Sequence, residues 1–105
     1  MQLNDYQQQA IQSIAINDRS LAALAHRTLG LSGEGGEVAN RIKKVIRDRG
    51  AELSEEDKQF LLEKLGDVLY YVSALAEYVD LSLEDVASQN LQKSAAFRAS
   101  RSTNS

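Results

Sequence analysis

Leu31-Ser32-Gly33-Glu34-Gly35-Gly36-Glu37-Val38-Ala39-Asn40-Arg41-Ile42-Lys43-Lys44-Val45 decides the fold, because its apolar and charged residues separate at helical spacing. At about 100° per residue, Glu34, Glu37, Arg41 and Lys44 form one stripe, beside a second made of Leu31, Val38, Ile42 and Val45. The acids therefore border the buried face. Carboxylates at i and i+3 can converge on one cation, or form a solvated edge neutralised by Arg41 and Lys44. Gly33, Gly35 and Gly36 each weaken a helix interior by about 1 kcal/mol relative to alanine. Close approach of another helix, or of a ligand to the backbone, would offset that loss.

Working outward, this helix starts near Leu21 and runs to Asp48, either unbroken or interrupted near Gly30. A first helix is expected over about Asp5 to Asn17, opened by the capping-box-like Asn4-Asp5-Tyr6-Gln7. Ser54-Glu55-Glu56-Asp57 supplies a cap and negative charge for a third helix reaching about Val79. Ser82-Leu83-Glu84-Asp85 starts a fourth that extends to about Phe97. One domain over 1–98 with a flexible tail over 99–105 is the expected organisation, without linker or repeat.

The third helix carries an apolar stripe in Leu61, Leu65, Val68, Leu69, Val72, Leu75, Ala76 and Val79, read as its core face. Phe60, Tyr71, Ala74 and Tyr78 lie on its other side near Asp67. A helix apolar over so much of its circumference needs neighbours on two sides, which four helices in 105 residues supply poorly. The expectation is an all-α, four-helix bundle completed by homo-oligomerisation, as a homodimer or homotetramer. Asp67, beside tyrosines on a partly buried surface, needs a cation or hydrogen-bond donors to stay charged; a structural ion pair would also serve.

The composition agrees with a helical chain: no proline, no tryptophan, two phenylalanines and 43% hydrophobic residues in 105. The absence of cysteine excludes disulfides, a thiolate zinc site and cysteine nucleophiles. Any metal then falls to carboxylates or His26, and oxygen donors favour Mg2+ or Mn2+. Met1 to Tyr6 has no basic region leading into an apolar run, and no stretch approaches the roughly 18 apolar residues of a membrane span. A cytoplasmic location is expected. The net charge of −3 gives no broad positive field for duplex nucleic acid, and Lys43, Lys44, Arg47 and Arg49 have few aromatics among them. There is no strand-loop-helix phosphate loop.

Leu29-Gly30-Leu31-Ser32-Gly33-Glu34-Gly35-Gly36-Glu37-Val38, followed by Leu65-Gly66-Asp67-Val68-Leu69-Tyr70-Tyr71, resembles the MazG-like pyrophosphohydrolases of the all-alpha NTP pyrophosphatase superfamily, over nearly the whole chain. That signature is Glu-x-x-Glu on one helix and Glu-x-x-Asp on the next. Glu34 and Glu37 match the first pair and Asp67 the last position, while Lys64 stands where the third acid belongs. Glu63 is adjacent, but helical arithmetic sets Lys64 about 60° to one side of Asp67 and Glu63 about 40° to the other, pointing Glu63 farther from the core.

The resemblance implies hydrolysis of a nucleoside or deoxynucleoside triphosphate to monophosphate and pyrophosphate. It makes Glu34, Glu37 and Asp67 catalytic and, with Glu63 as an imperfect substitute, ligands for Mg2+ or Mn2+. Lys64, Tyr71, Asn90, Lys93 and Lys44 are the implied substrate contacts. Lys64 replaces one cation by charge, contacts phosphate, or impairs catalysis; in the last case the chain is a nucleotide-binding or interaction module. Tyr6, Gln7 and Gln8 are candidates for a base-selecting pocket. Glu34, Glu37 and Asp67 are expected to converge on one cavity with Lys64 at its wall.

Overall fold

A computed structural model describes residues 1–103. Those residues contain four helices and no strand: α1 Leu3–Ile11, α2 Leu21–Arg49, α3 Glu55–Tyr78 and α4 Leu83–Thr103. None of the helices is long and apolar enough to cross a membrane.

The two long helices form an antiparallel hairpin, and its ends are set by local chemistry. Ser20 caps α2 by accepting the Ala23 N–H at 3.1 Å. Gly50 closes α2 in the left-handed region at φ 59°, its N–H donating to the Ile46 carbonyl. Ser54 and Asp57 then make a complete capping box at the start of α3. The Asp57 carboxylate is buried and also accepts from Arg41 at 2.9 Å and Arg49 at 2.5 Å, tying the turn to α2. The Ser54 backbone N–H, with the Ser54 hydroxyl and both arginines behind it, holds the Asp57 carboxyl well below the usual carboxylate range.

Because its native pKa is depressed, Asp57 contributes stability that is complete above the unfolded carboxylate value of about 4. That contribution is lost as pH falls through the native value. Melting temperature against pH is therefore expected to fall steeply below about pH 4 in the wild type. Asp57→Asn should melt lower at neutral pH and show a flatter acid limb.

Along the hairpin, Arg41 lies over the Phe60 ring at 4.6 Å, Gly30 faces Tyr71, and Arg27 reaches the Ala74 carbonyl. The side of α3 bearing Phe60, Tyr71, Ala74 and Tyr78 is thus the one that packs on α2. Much of the expected core stripe turns outward: Leu65, Leu69 and Val79 are exposed. The reason is geometric, since Gly30 and Ala74 let the backbones approach while the arginines of α2 lie across the aromatic rings.

Gly30, and not Gly33, Gly35 or Gly36, is the glycine that a close helix contact requires. A Cβ on Gly33, Gly35 or Gly36 would meet nothing within 4 Å, whereas one on Gly30 would collide with the Tyr71 ring. Gly30→Ala is expected to destabilise by about 1–3 kcal/mol through overpacking. Gly33→Ala should stabilise by up to about 1 kcal/mol through helix propensity alone. Chemical denaturation of the two variants checks both signs, and a destabilised Gly33→Ala would place a partner surface against that side of α2.

α1 is shorter than expected, ending at Ile11 rather than Asn17, and Asn4 does not cap it. Its Oδ1 instead accepts the Glu84 N–H at 3.0 Å. Residues 12–20 form a strap over the end of α3. Its Ile14 is buried, Arg19 donates to Glu77 and Asp80, and Arg27 reaches toward the Ile16 carbonyl. Ile14 therefore keeps apolar spacing without helix. Gln7 is buried and donates to the Ser73 and Leu81 carbonyls while accepting the Leu83 N–H at 3.0 Å. This one side chain joins α1, α3 and the start of α4, which removes Gln7 from any base-selecting role.

α4 packs on α1 and α3 and not on α2. It continues through 99–103, where a tail was expected, because Ala95, Ala96, Arg98, Ala99 and Arg101 favour helix and no glycine or proline stops it. Residues 104–105 of that expected tail lie outside the described residues. Leu91 and Phe97 on α4 are exposed. The radius of gyration, 16.9 Å, exceeds the roughly 13 Å of a compact domain this long.

Candidate active site

Near the middle of the hairpin, α2 presents Glu34 and Glu37 while α3 presents Lys64 and Asp67. The Lys64 Nζ donates to Glu34 Oε2 at 3.1 Å, pairs with Glu37 Oε2, and stands 3.8 Å from Asp67 Oδ2. The three acids thus meet at the lysine. Hydrogen bonds to Glu37 and then Glu34 hold the Lys64 ammonium well above the ordinary lysine range. Glu34 and Lys64 are each 23% exposed, whereas Glu37 is 53% exposed and opens toward solvent.

Beside Lys64 lies a hollow of about 350 Å³ lined by Glu37, Asn40, Arg41, Lys44, Phe60 and Lys64. Lys44 brings positive charge to its wall. Arg41 was a candidate neutraliser of the acidic stripe, but its guanidinium turns to Asp57, and the neutralising charge comes from Lys64 on the other helix. Asn40 was not among the sequence candidates, and Phe60, expected only as an apolar neighbour of Asp67, also lines the hollow, one turn before Lys64 on the same face.

The other candidates are placed less centrally. Glu63 is exposed and accepts from Gln59 at 3.4 Å, away from Lys64. Tyr71 packs on Gly30 and meets the His26 ring edge-on at 5.8 Å, so it works as a wedge between the helices. Asn90 and Lys93 are exposed on α4 and are not brought to the cluster. Burial, and then the Asp67 carboxylate, push the Tyr6 hydroxyl pKa up.

Oxygen donors such as these suit Mg2+ or Mn2+ in kind. As arranged, they do not suit a resident ion. The Lys64 ammonium occupies the point at which the carboxylates meet, and among the described residues no three acidic or histidine side chains stand so as to share a metal.

The fold and cluster define an all-α protein whose charged site is shared by two antiparallel helices. The chain belongs to the family of the MazG nucleotide pyrophosphohydrolase domain, whose model matches residues 23–98. It is 42% identical over 74 residues to the Gene 37 protein of Mycobacterium phage L5, covering 70% of this chain and 65% of the relative. It is 37% identical over 68 residues to the Uncharacterized protein YvdC of Bacillus subtilis (strain 168), covering 60% of this chain and 64% of that one. The matched region therefore spans just under two-thirds of the length of these curated relatives. No solved structure matches the chain.

Proposed function

We propose that this chain hydrolyses a nucleoside or deoxynucleoside triphosphate to the monophosphate and pyrophosphate, in the cytoplasm, as a homodimer or homotetramer. The observation that carries the reading is the meeting of Glu34, Glu37 and Asp67 with Lys64, beside a hollow bearing Lys44, inside the matched family region. In the proposed reaction a water oxygen bonds to the α-phosphorus, the bond to the α,β-bridging oxygen breaks, and pyrophosphate leaves. Glu37, the carboxylate that lines the hollow, accepts the proton of the water. Lys64 and Lys44 offset the charge of the phosphates. Mg2+, or Mn2+ in its place, would be carried by the triphosphate itself and would offset the charge of its oxygens. Self-association is supported by the exposed Leu29, Leu62, Leu65, Leu69, Leu91 and Phe97.

The test is a panel of canonical and modified nucleoside triphosphates with Mg2+ or Mn2+, reading monophosphate and pyrophosphate separately. Equal amounts of both are expected; orthophosphate with diphosphate would end the reading. A second reading, a binding module of the same fold with little turnover, is favoured by the ion pairs that engage Glu34 and Glu37 with Lys64. Nucleotide binding without either product would select it.

A further inference from the structure

We propose that Lys64 is the resident cation of this site: its ammonium takes the position between Glu34, Glu37 and Asp67, and a divalent ion and the ammonium exclude one another there. This deepens the proposed function and rests on the nucleotide site lying at this cluster.

The geometry argues for it at three points. First, Nζ is within ion-pair distance of a carboxylate oxygen from each of three residues on two helices, at 3.1 Å from Glu34 and 3.8 Å from Asp67, with Glu37 closest. A divalent ion bridging the same oxygens would need that space, at about 2.0–2.1 Å from each for Mg2+. Second, the two positive charges would repel at short range in a site only partly open to water. Third, Lys64 is not a loose surface lysine. Its ammonium lies 5.9 Å from the centre of the Phe60 ring, and that ring also receives Arg41. The side chain is only 23% exposed, and its head is held by Glu34 and Glu37 beside the ring.

The consequence is a cluster balanced without metal. Glu34 and Glu37 stand one turn apart on α2, where like charges disfavour one another; the lysine of α3 removes that conflict and ties the helices. Removing the ammonium leaves the acids uncompensated until an ion replaces it.

The experiment uses the full chain without nucleotide, so it is independent of turnover. Free Mn2+ is followed by its paramagnetic resonance signal, and melting is compared in chelator and in about 5 mM Mg2+. The wild type is expected to leave the Mn2+ signal intact and to melt within about 1 °C in the two buffers. Lys64→Gln and Lys64→Glu are expected to melt lower in chelator and to recover with Mg2+. They should bind Mn2+ at least about tenfold more tightly than the wild type, with Lys64→Glu the tighter of the two.

Wild-type Mn2+ binding as tight as that of Lys64→Glu would overturn the proposal, as would a Lys64→Gln melt unchanged in chelator. Should neither variant fold, the wild-type titration decides alone: attenuation of the Mn2+ signal at submillimolar ion overturns it, and an intact signal sustains it. Failure here leaves the product panel untouched. A panel without pyrophosphate would in turn sink the hydrolase reading and leave the ammonium in its place.

Discussion

Glu37→Gln is expected to lower pyrophosphate release by about 100-fold or more, the range in which a positioned proton acceptor contributes. Glutamine keeps the shape of the side chain and can still accept a hydrogen bond from Lys64, but it cannot take a proton from water near neutral pH. Glu37 is also more than half exposed, so the variant should melt close to the wild type. The drop is then readable as chemistry and not as unfolding. Glu63→Gln is the control, because Glu63 touches Gln59 and lies away from Lys64; its turnover should stay within about twofold of the wild type. Steady-state kinetics with pyrophosphate as the readout separates the two. Equal losses in both variants, or undiminished release in Glu37→Gln, would move the proton acceptor elsewhere.

That Glu63 points away from Lys64 was legible in the sequence, because it follows from helical angles along α3. So were the ends of α2, the extent of α3 and the cap at Ser54, which rest on local signals: an N-cap residue, acids in the first turn, glycine at the end; that α2 runs unbroken past Gly30 was not. The meeting of Glu34, Glu37 and Asp67 followed from the family resemblance together with the spacing.

What sequence could not reach was the choice of face on α3. Leu65 and Leu69 look like core, and Phe60, Tyr71 and Tyr78 look like an accessory surface, when hydrophobicity is the only guide. The decision turned on partners 27 to 41 residues from the start of the chain: Arg27, Gly30 and Arg41 each fit against an aromatic ring of α3. Period analysis weighs residues on one helix and is blind to such complementarity. Lys64 was similarly ambiguous. Its three open roles differ in what the ammonium touches, and only the opposite helix could show it paired with Glu34 and Glu37. The shortness of α1 had no local signal, since no glycine or proline follows Ile11; the strap is held instead by Arg19 and Arg27.

Arg27 carries the second large expectation. It is fully buried on α2 and donates to the Ala74 carbonyl at 2.8 Å and to Glu77 Oε2 at 2.7 Å. It also reaches the Ile16 carbonyl and the Asn17 side chain at 3.5 Å, and its guanidinium lies 5.5 Å from the centre of the Tyr78 ring. One side chain thereby joins α2, α3 and the strap. Arg27→Ala removes the donors, leaves the Ala74 carbonyl and Glu77 short of a partner, and opens a cavity. Glu77 is partly exposed and keeps Arg19, so the loss belongs at the lower end for a broken buried pair, about 3 kcal/mol. For a domain of this size that is a fall in melting temperature of about 12 °C or more. Arg27→Met restores volume without charge. Well-packed apolar replacements of buried ion pairs can be nearly neutral, yet here the Ala74 and Ile16 carbonyls would still lose the hydrogen bonds that Arg27 donates, so Met should recover about half of the loss. Thermal melts of the three proteins test this order. Full recovery by Met would show that Arg27 acts by filling space, and an Ala variant within about 3 °C of the wild type would mean that the strap and hairpin do not depend on it.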